Sequence, residues 1–357
     1  MNKRGPLLLI DADVLRYQLA FSNTANIDWN GDGNKVEAIQ PERAKAKLED
    51  YIDEIVEKFG ARDYLLALSC KKHNFRKDID PTYKLNRASK DKPALWYVLD
   101  EFVYDEFGDK IVEIENLEGD DVLGLLASHP NPKRAPGSRI VVSIDKDMQT
   151  IPGIRLYNPN RPDVGVRPIS AHDADLFWMK QVLTGDQVDN YPGFPGIGHK
   201  GADELLMPIH EAYRDASVEE HLGALWNTVV TTYTTRIPRG GTEPLSKHDA
   251  IRQARLARIL RYGDYNPKTK EVKLWNPDPV HHHRRRAGRA VRLRRLRRCL
   301  AVVAQPQHPR THPVPLGWQR QAVAGRCRRC WRGLADRPVF RLTTTKPPDP
   351  AYRNSST

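Results

Sequence analysis

The chain is 357 residues long, with a formal net charge of +12 and four cysteines. It can hold two domains and a substantial core, has too few cysteines for a disulfide framework, and has no apolar run near the roughly 20 residues of a membrane span. The positive balance is local. Residues 281–357 hold 18 Arg and one Lys against two Asp, a net of +17, whereas residues 1–280 hold 38 basic and 43 acidic side chains, a net of −5. An acidic body repels a polyanionic partner unless cations neutralise part of it. The apolar start at Leu7–Ile10 is too short for a signal peptide, so a cytoplasmic protein with no membrane partner is expected.

Taken in order, Leu7–Ile10 is a short continuous apolar run, the pattern of a strand buried on both faces. It delivers Asp11 and Asp13 at its carboxyl end. Residues 28–39 have the opening offsets of a calcium loop, but Ile39 stands where a bidentate Glu is needed, which excludes it. Pro41–Phe59 reads as an amphipathic helix with Ala44, Leu48, Tyr51, Ile52, Ile55 and Phe59 on one stripe and Gly60 closing it. Tyr64–Leu68 is a second strand, followed by a basic stretch with Lys71, Lys72, Arg76, Lys77, Lys84, Arg87 and Lys90. A helix is expected over Leu95–Phe107 and a third strand at Ile111–Ile114.

Glu118, Asp120 and Asp121 then open a helix, three acids where compensation of the helix dipole needs one. Ile140–Ile144 is the clearest buried strand and releases Asp145 and Asp147. Ser170 caps a helix that leads to Asp186 and Asp189, whose spacing of three predicts one helical face. Next comes a turn punctuated by Gly193, Gly196 and Gly198 and ending in Lys200; such a turn presents backbone N–H groups at a helix N-terminus, a seat for a phosphate. Helical patterns fill the remainder to about residue 260. The fold class is therefore α/β, a mainly parallel sheet with helices on both faces, followed by a helical region.

The expected divisions are 1–168, the α/β domain; 169–278, the helical region; and 279–357, an Arg-rich tail. The tail has no Glu and no Ile. It is either a disordered basic arm that grips phosphates or the product of a shifted reading frame. Cys327 and Cys330 have zinc-ligand spacing, but a second close ligand pair is missing.

Parallel strands present their carboxyl ends to one edge, where open α/β sheets bind ligands. Eight acids have a route to it: Asp11, Glu118, Asp120, Asp121, Asp145, Asp147, Asp186 and Asp189. Oxygen donors without His or Cys select hard cations, so Mg²⁺ or Mn²⁺ is expected, two ions, with phosphodiester hydrolysis as the chemistry. Lys84 and Arg87 are placed to donate to a scissile phosphate; Lys72 and Arg76 are expected to steer a nucleic-acid strand.

In order along residues 7–275, the motifs IDADVL, FR, YKLNR, EGDD, SIDKD, GDQVDN and GFPGIGHKGA resemble those of the 5′-nuclease or flap endonuclease family, most closely the bacteriophage 5′→3′ exonucleases. More distantly they resemble the 5′-nuclease domain of bacterial DNA polymerase I. The resemblance implies a PIN-like core, two acid-bound divalent ions, and a helix-two-turn-helix element that holds duplex DNA through Gly193, Gly196 and Gly198, with K⁺ as an added cofactor there. It implies a 5′→3′ exonuclease on DNA 5′ ends, with flaps, RNA–DNA hybrids and replication proteins as further partners, and Lys84 as the active-site lysine. Many relatives carry an aspartate where this chain has Ser69. The rivals are a flap- or hybrid-cutting nuclease with the same site and a noncatalytic DNA-binding module.

Overall fold

The computed structural model describes residues 5–27, 36–88, 91–130 and 137–277, all within one compact unit. The Arg-rich tail, its Cys327–Cys330 pair, Lys90 and residues 28–35 of the calcium-like segment lie outside the described residues.

In chain order the elements are β1 (Leu7–Asp11), α1 (Ala12–Ser22), β2 (Thr24–Ile27), β3 (Val36–Ile39), α2 (Pro41–Lys58), β4 (Asp63–Leu68), α3 (Arg76–Ile79), α4 (Ala94–Phe107), β5 (Ile111–Glu113), α5 (Gly119–Ser128), β6 (Arg139–Val142), β7 (Arg155–Tyr157) and β8 (Val166–Pro168). Then follow α6 (Ala171–Thr184), α7 (His199–Ala212), α8 (Val218–Thr235), α9 (Lys247–Ala257) and the hairpin of β9 (Tyr265–Asn266) and β10 (Glu271–Val272).

The main sheet runs β5-β4-β1-β6-β7-β8. Only β8, at the edge, is antiparallel to its neighbour. Because successive side chains alternate across a strand, Leu8 and Ile10 enter the core under α2 and α4, while Leu7 and Leu9 join Val122, Leu123 and Met148 on the other face. Each such buried Leu or Ile stabilises the sheet by about 2 kcal/mol. A third cluster, including Trp178, Leu206, Leu225 and Tyr233, holds the helical region together. That region is packed down on the sheet, since Ile259 and Leu260, just after α9, lie in the core beneath α5.

The expected strand at Ile140–Ile144 stops at Val142. Ile10 pairs with Val142, and β1 gives way to α1 at Ala12, so residues beyond find no ladder on that side. The expected helical face for Asp186 and Asp189 is corrected: α6 ends at Thr184, Gly185 adopts φ 65°, and the chain doubles back through a turn closed by reciprocal Asp186–Tyr191 backbone bonds of 2.9 and 3.0 Å.

Candidate active site

Sheet order decides what meets at the carboxyl edge. The central strand β1 ends in Asp11, β4 beside it leads to Ser69, and β6 on the other side leads through Ser143 to Asp145. Ser69 Oγ accepts from Gly119 N at 2.9 Å, which pins the start of α5, and its acids, to the end of β4. One cleft of about 340 Å³ is lined by Asp11, Asp13, Glu118, Asp120, Asp145 and Asp189. A second, of about 360 Å³, is lined by Asp145, Asp147, Asp186 and Asp189. They share Asp145 and Asp189, so seven of the eight expected acids line one continuous feature.

Asp121 is the exception. Fully buried, it takes both guanidinium nitrogens of Arg76, at 2.6 and 2.8 Å, and the Leu260 N–H at 3.1 Å. Its oxygens are spent inside the core, and it lines neither cleft. Asp13 stands at the cleft instead, accepting from Ser69 N at 2.8 Å and pairing with Arg16.

The cleft carboxylates are short of positive charge. Burial, and next the neighbouring Asp13 and Asp145, push Asp11 up to about 7 against the hydrogen bond from Ser143. Burial and Asp145 likewise raise Asp147 to about 7. Asp120 and Asp145 are raised too, chiefly by burial, with acidic neighbours adding to it. Glu118 behaves oppositely: burial works against its charge, but Lys84 and Arg76 hold it down to about 2. Asp186 is held below its usual value against burial by the Lys146 ammonium, 2.8 Å from Oδ2.

Lys84 sits at φ 55°, a left-handed backbone rare for a residue with a Cβ. Its N–H is bonded to Asp189 O at 2.9 Å, and its ammonium pairs with Glu118 and, at 3.5 Å, with Asp189. Burial disfavours that charge, yet the surrounding acids raise the lysine above its ordinary value and keep it cationic. Arg87, on the next single turn, donates to Asp189 Oδ1 at 2.7 Å. Tyr83 OH donates to Asp189 at 2.9 Å and Glu118 at 3.1 Å. Sequence reading gave no site role to Tyr83 or Lys146, nor to Tyr17, Trp96 and Lys92, the last residue of the basic stretch, which line the first cleft. Lys92 Nζ lies 3.3 Å from the centre of the Trp96 ring. For Lys92 and Trp96 a signal was present, an aromatic residue just after a basic run; Tyr17, in α1, has no such neighbour in the sequence.

Among the described residues no three His, Cys, Asp or Glu side chains converge into a ready-made metal group. The carboxylates nonetheless fit divalent ions: seven acids offer oxygen donors, with Cys70 as the one sulfur among the described residues lining the first cleft, and burial and one another oppose the charge of four of them.

The expected DNA contacts divide. Lys72 and Lys200 are exposed, as are Gly196 and the α7 cap Gly198. Arg76 is 3% exposed and bonded to Asp121, Glu118 and the carbonyls of Leu256 and Arg258, so it cannot reach a strand. Gly193 is buried at φ 62°, its N–H bonded to Gln253 at 2.9 Å; a Cβ there would lie 2.2 Å from Gly185 N. Its role is close backbone approach, not phosphate contact.

Comparison with known proteins places the chain among nucleases. A family model described as 5′-3′ exonuclease, N-terminal resolvase-like domain, matches residues 6–172. The chain is 28% identical over 290 residues to the exonuclease of Escherichia phage T7, covering 76% of this chain and 93% of that one. It is 30% identical over 219 residues to the exodeoxyribonuclease of Enterobacteria phage T3, covering 57% and 70%. Among solved structures, the T5 5′-exonuclease with bound divalent metal ions (zinc) is similar at 18% identity and a TM-score of 0.43, covering 71% and 89%. Matched over most of their length by these phage nucleases and by the family model across the acid-bearing sheet, the chain belongs to the 5′–3′ exonuclease family.

Proposed function

We propose that this member of a DNA-hydrolysing family removes nucleotides from 5′ ends of duplex DNA, in the 5′→3′ direction, with Mg²⁺ or Mn²⁺ as cofactor. The observation that carries this is the meeting of seven acids with Lys84 and Arg87 at the carboxyl edge of the parallel strands. Asp11, Glu118, Asp120 and Asp145 would hold one ion, with Asp147, Asp186 and Asp189 serving a second beside Asp145. When bound, the ions supply the Lewis acidity that activates water and stabilises a leaving oxygen. The chain's own residues do the rest. Lys84, kept cationic by Glu118 and Asp189, and Arg87, at the same acid, stand ready to donate to the non-bridging oxygens of the scissile phosphate as charge develops there. Tyr83 fixes Glu118 and Asp189 in place through its hydroxyl.

In this reading residues 1–168 form a PIN-like catalytic part, and residues 169–278 grip the duplex through a helix-two-turn-helix centred on Gly196, Gly198 and Lys200, with K⁺ at the turn. A flap-cutting activity is the second reading. It is favoured by the exposed Tyr17 ring with Lys92 in the same cleft, which suits the face of an unpaired base and its phosphate. The decisive experiment is Asp145→Asn, assayed on end-labelled duplex, flap and RNA–DNA hybrid with Mg²⁺. It should abolish product formation while leaving DNA binding largely intact; retained turnover would count against the assignment. Wild-type binding that is insensitive to EDTA and yields no product with Mn²⁺ would instead identify a noncatalytic module.

A further inference from the structure

A cavity of about 600 Å³, larger than either acid cleft, shares no residue with them. One wall is a face of α9, where His248, Arg252 and Arg255 follow at spacings of four and three and so line up along the helix. The other is mixed: Phe75 and Ile79 at the two ends of α3, Val272 from β10 and Leu274 alternate with Asp78, Asn116, Lys270 and Glu271. The size is within the roughly 300–1,000 Å³ of small-molecule sites.

The two guanidiniums are under-used. Arg255 Nε bonds a carbonyl, Trp275 O, at 3.0 Å, and Arg252 reaches one carboxylate, Asp249, at a long 3.3 Å. Arg252 Nε is buried with no partner, a costly state for an N–H. Of the other charged groups here, Asp78 hydrogen-bonds His73 at 2.9 Å and Lys270 pairs with Glu115 at 3.0 Å, while Glu271 lines the cavity with no cation paired to it among the described residues. Two planar donor forks facing the apolar side chains of Phe75, Ile79, Val272 and Leu274 match a phosphate joined to a flat ring system.

We propose that this cavity binds a nucleoside 5′-monophosphate, its phosphate on Arg252 and Arg255 and its base along Phe75, Ile79 and Val272. The choice of a nucleotide over another organic phosphate rests on the proposed nuclease activity, which releases such units. The site adjoins the catalytic frame: Phe75 N bonds Asn116 O at 3.1 Å, and Arg76, the next residue, ties the end of α9 to Glu118. An occupant is therefore placed to report product level to the cleft.

The test is calorimetric titration of the full chain with 5′-dAMP in EDTA, where no turnover occurs. Saturable binding should weaken about ten-fold or more in Arg252→Gln and in Arg255→Gln, the loss expected for a charge-assisted hydrogen bond. Inorganic phosphate should bind more weakly, deoxyadenosine should not bind, and Asp145→Asn should bind as wild type does. A 5′-phosphorylated single strand identifies the phosphate source: competition with dAMP that vanishes in the Arg variants assigns the site to strand ends, and lack of competition to the free nucleotide. Absence of saturable dAMP binding overturns the proposal, as does equal affinity in wild type and in whichever Arg variant keeps the wild-type melting curve. Retained Arg-dependent binding alongside a failed cleavage assay would remove the nuclease reading and leave this site standing.

Discussion

Arg76 and Lys84 both touch Glu118, yet their surroundings give them different work. Arg76 has no solvent to return to, and its bidentate partner Asp121 is fully buried. Removing one partner of such a pair strands a charge in the core, at a cost of about 3–5 kcal/mol. Arg76→Ala should therefore lower the unfolding free energy obtained from urea titration by that amount, and Arg76→Lys should rescue it poorly, because an ammonium cannot replace the planar fork. Lys72→Ala, on the exposed side of the same basic segment, should leave the unfolding free energy within about 0.5 kcal/mol of wild type. Equal midpoints for Arg76→Ala and Lys72→Ala would contradict the buried-anchor role. The sequence shows that EGDD is unusual but not which aspartate faces the cleft. Neighbours on a helix point about 100° apart, so Asp120 and Asp121 part company, and only the packing of α5 on Arg76 reveals which way each goes. The same blindness made Arg76 look like a strand-steering cation.

The turn between α6 and α7 shows what was legible among the elements. The continuous apolar runs of β1, β4 and β6 and the helical stripe of α2 could be read directly, since burial on both faces gives the first and burial on one face the second. The three-residue strands β7 and β8 are too short to carry a period. The spacing of Asp186 and Asp189 fits a tight turn as well as a helix; Gly185, directly before them, was the stop signal. That turn depends on Gly193, whose missing Cβ lets it lie against Gly185 and Leu183. Gly193→Ala should cost about 1–2 kcal/mol for the left-handed backbone alone, with the overlap adding to it. Displacing Asp186 and Asp189, it should also reduce cleavage. Gly198→Ala meets nothing within 4 Å and keeps φ at −94°, so its stability cost should stay below about 1 kcal/mol. Chemical unfolding of the pair separates backbone support from ligand contact: if Gly193→Ala proves as stable as Gly198→Ala, the close-approach role fails. Any DNA affinity lost in Gly198→Ala then reports on the turn as a phosphate seat.

At the scale of the whole molecule, residues 1–280 carry a net of −5, and much of that repulsion is concentrated at one sheet edge. Asp11 and Asp147 titrate near 7 in the folded chain against a usual 3.8, so they favour folding below 3.8 and lose that contribution as pH rises through 7. Glu118 has the opposite sign: held down to about 2 from 4.5, it contributes above 4.5 and fails only as acid approaches 2. In EDTA the protein should therefore be more stable at pH 6 than at pH 8. A divalent ion that binds the folded state alone removes the penalty through mass action, about 2.7 kcal/mol at a hundred times its dissociation constant. Mg²⁺ should raise the melting temperature more at pH 8 than at pH 6, without any substrate present. Asp145→Asn, which removes one of the two carboxylates shared by both clefts, should blunt that rise; the Arg252 and Arg255 variants should leave it unchanged. A melting temperature indifferent to Mg²⁺ at pH 8 would mean that the seven acids share a cleft without sharing a cation.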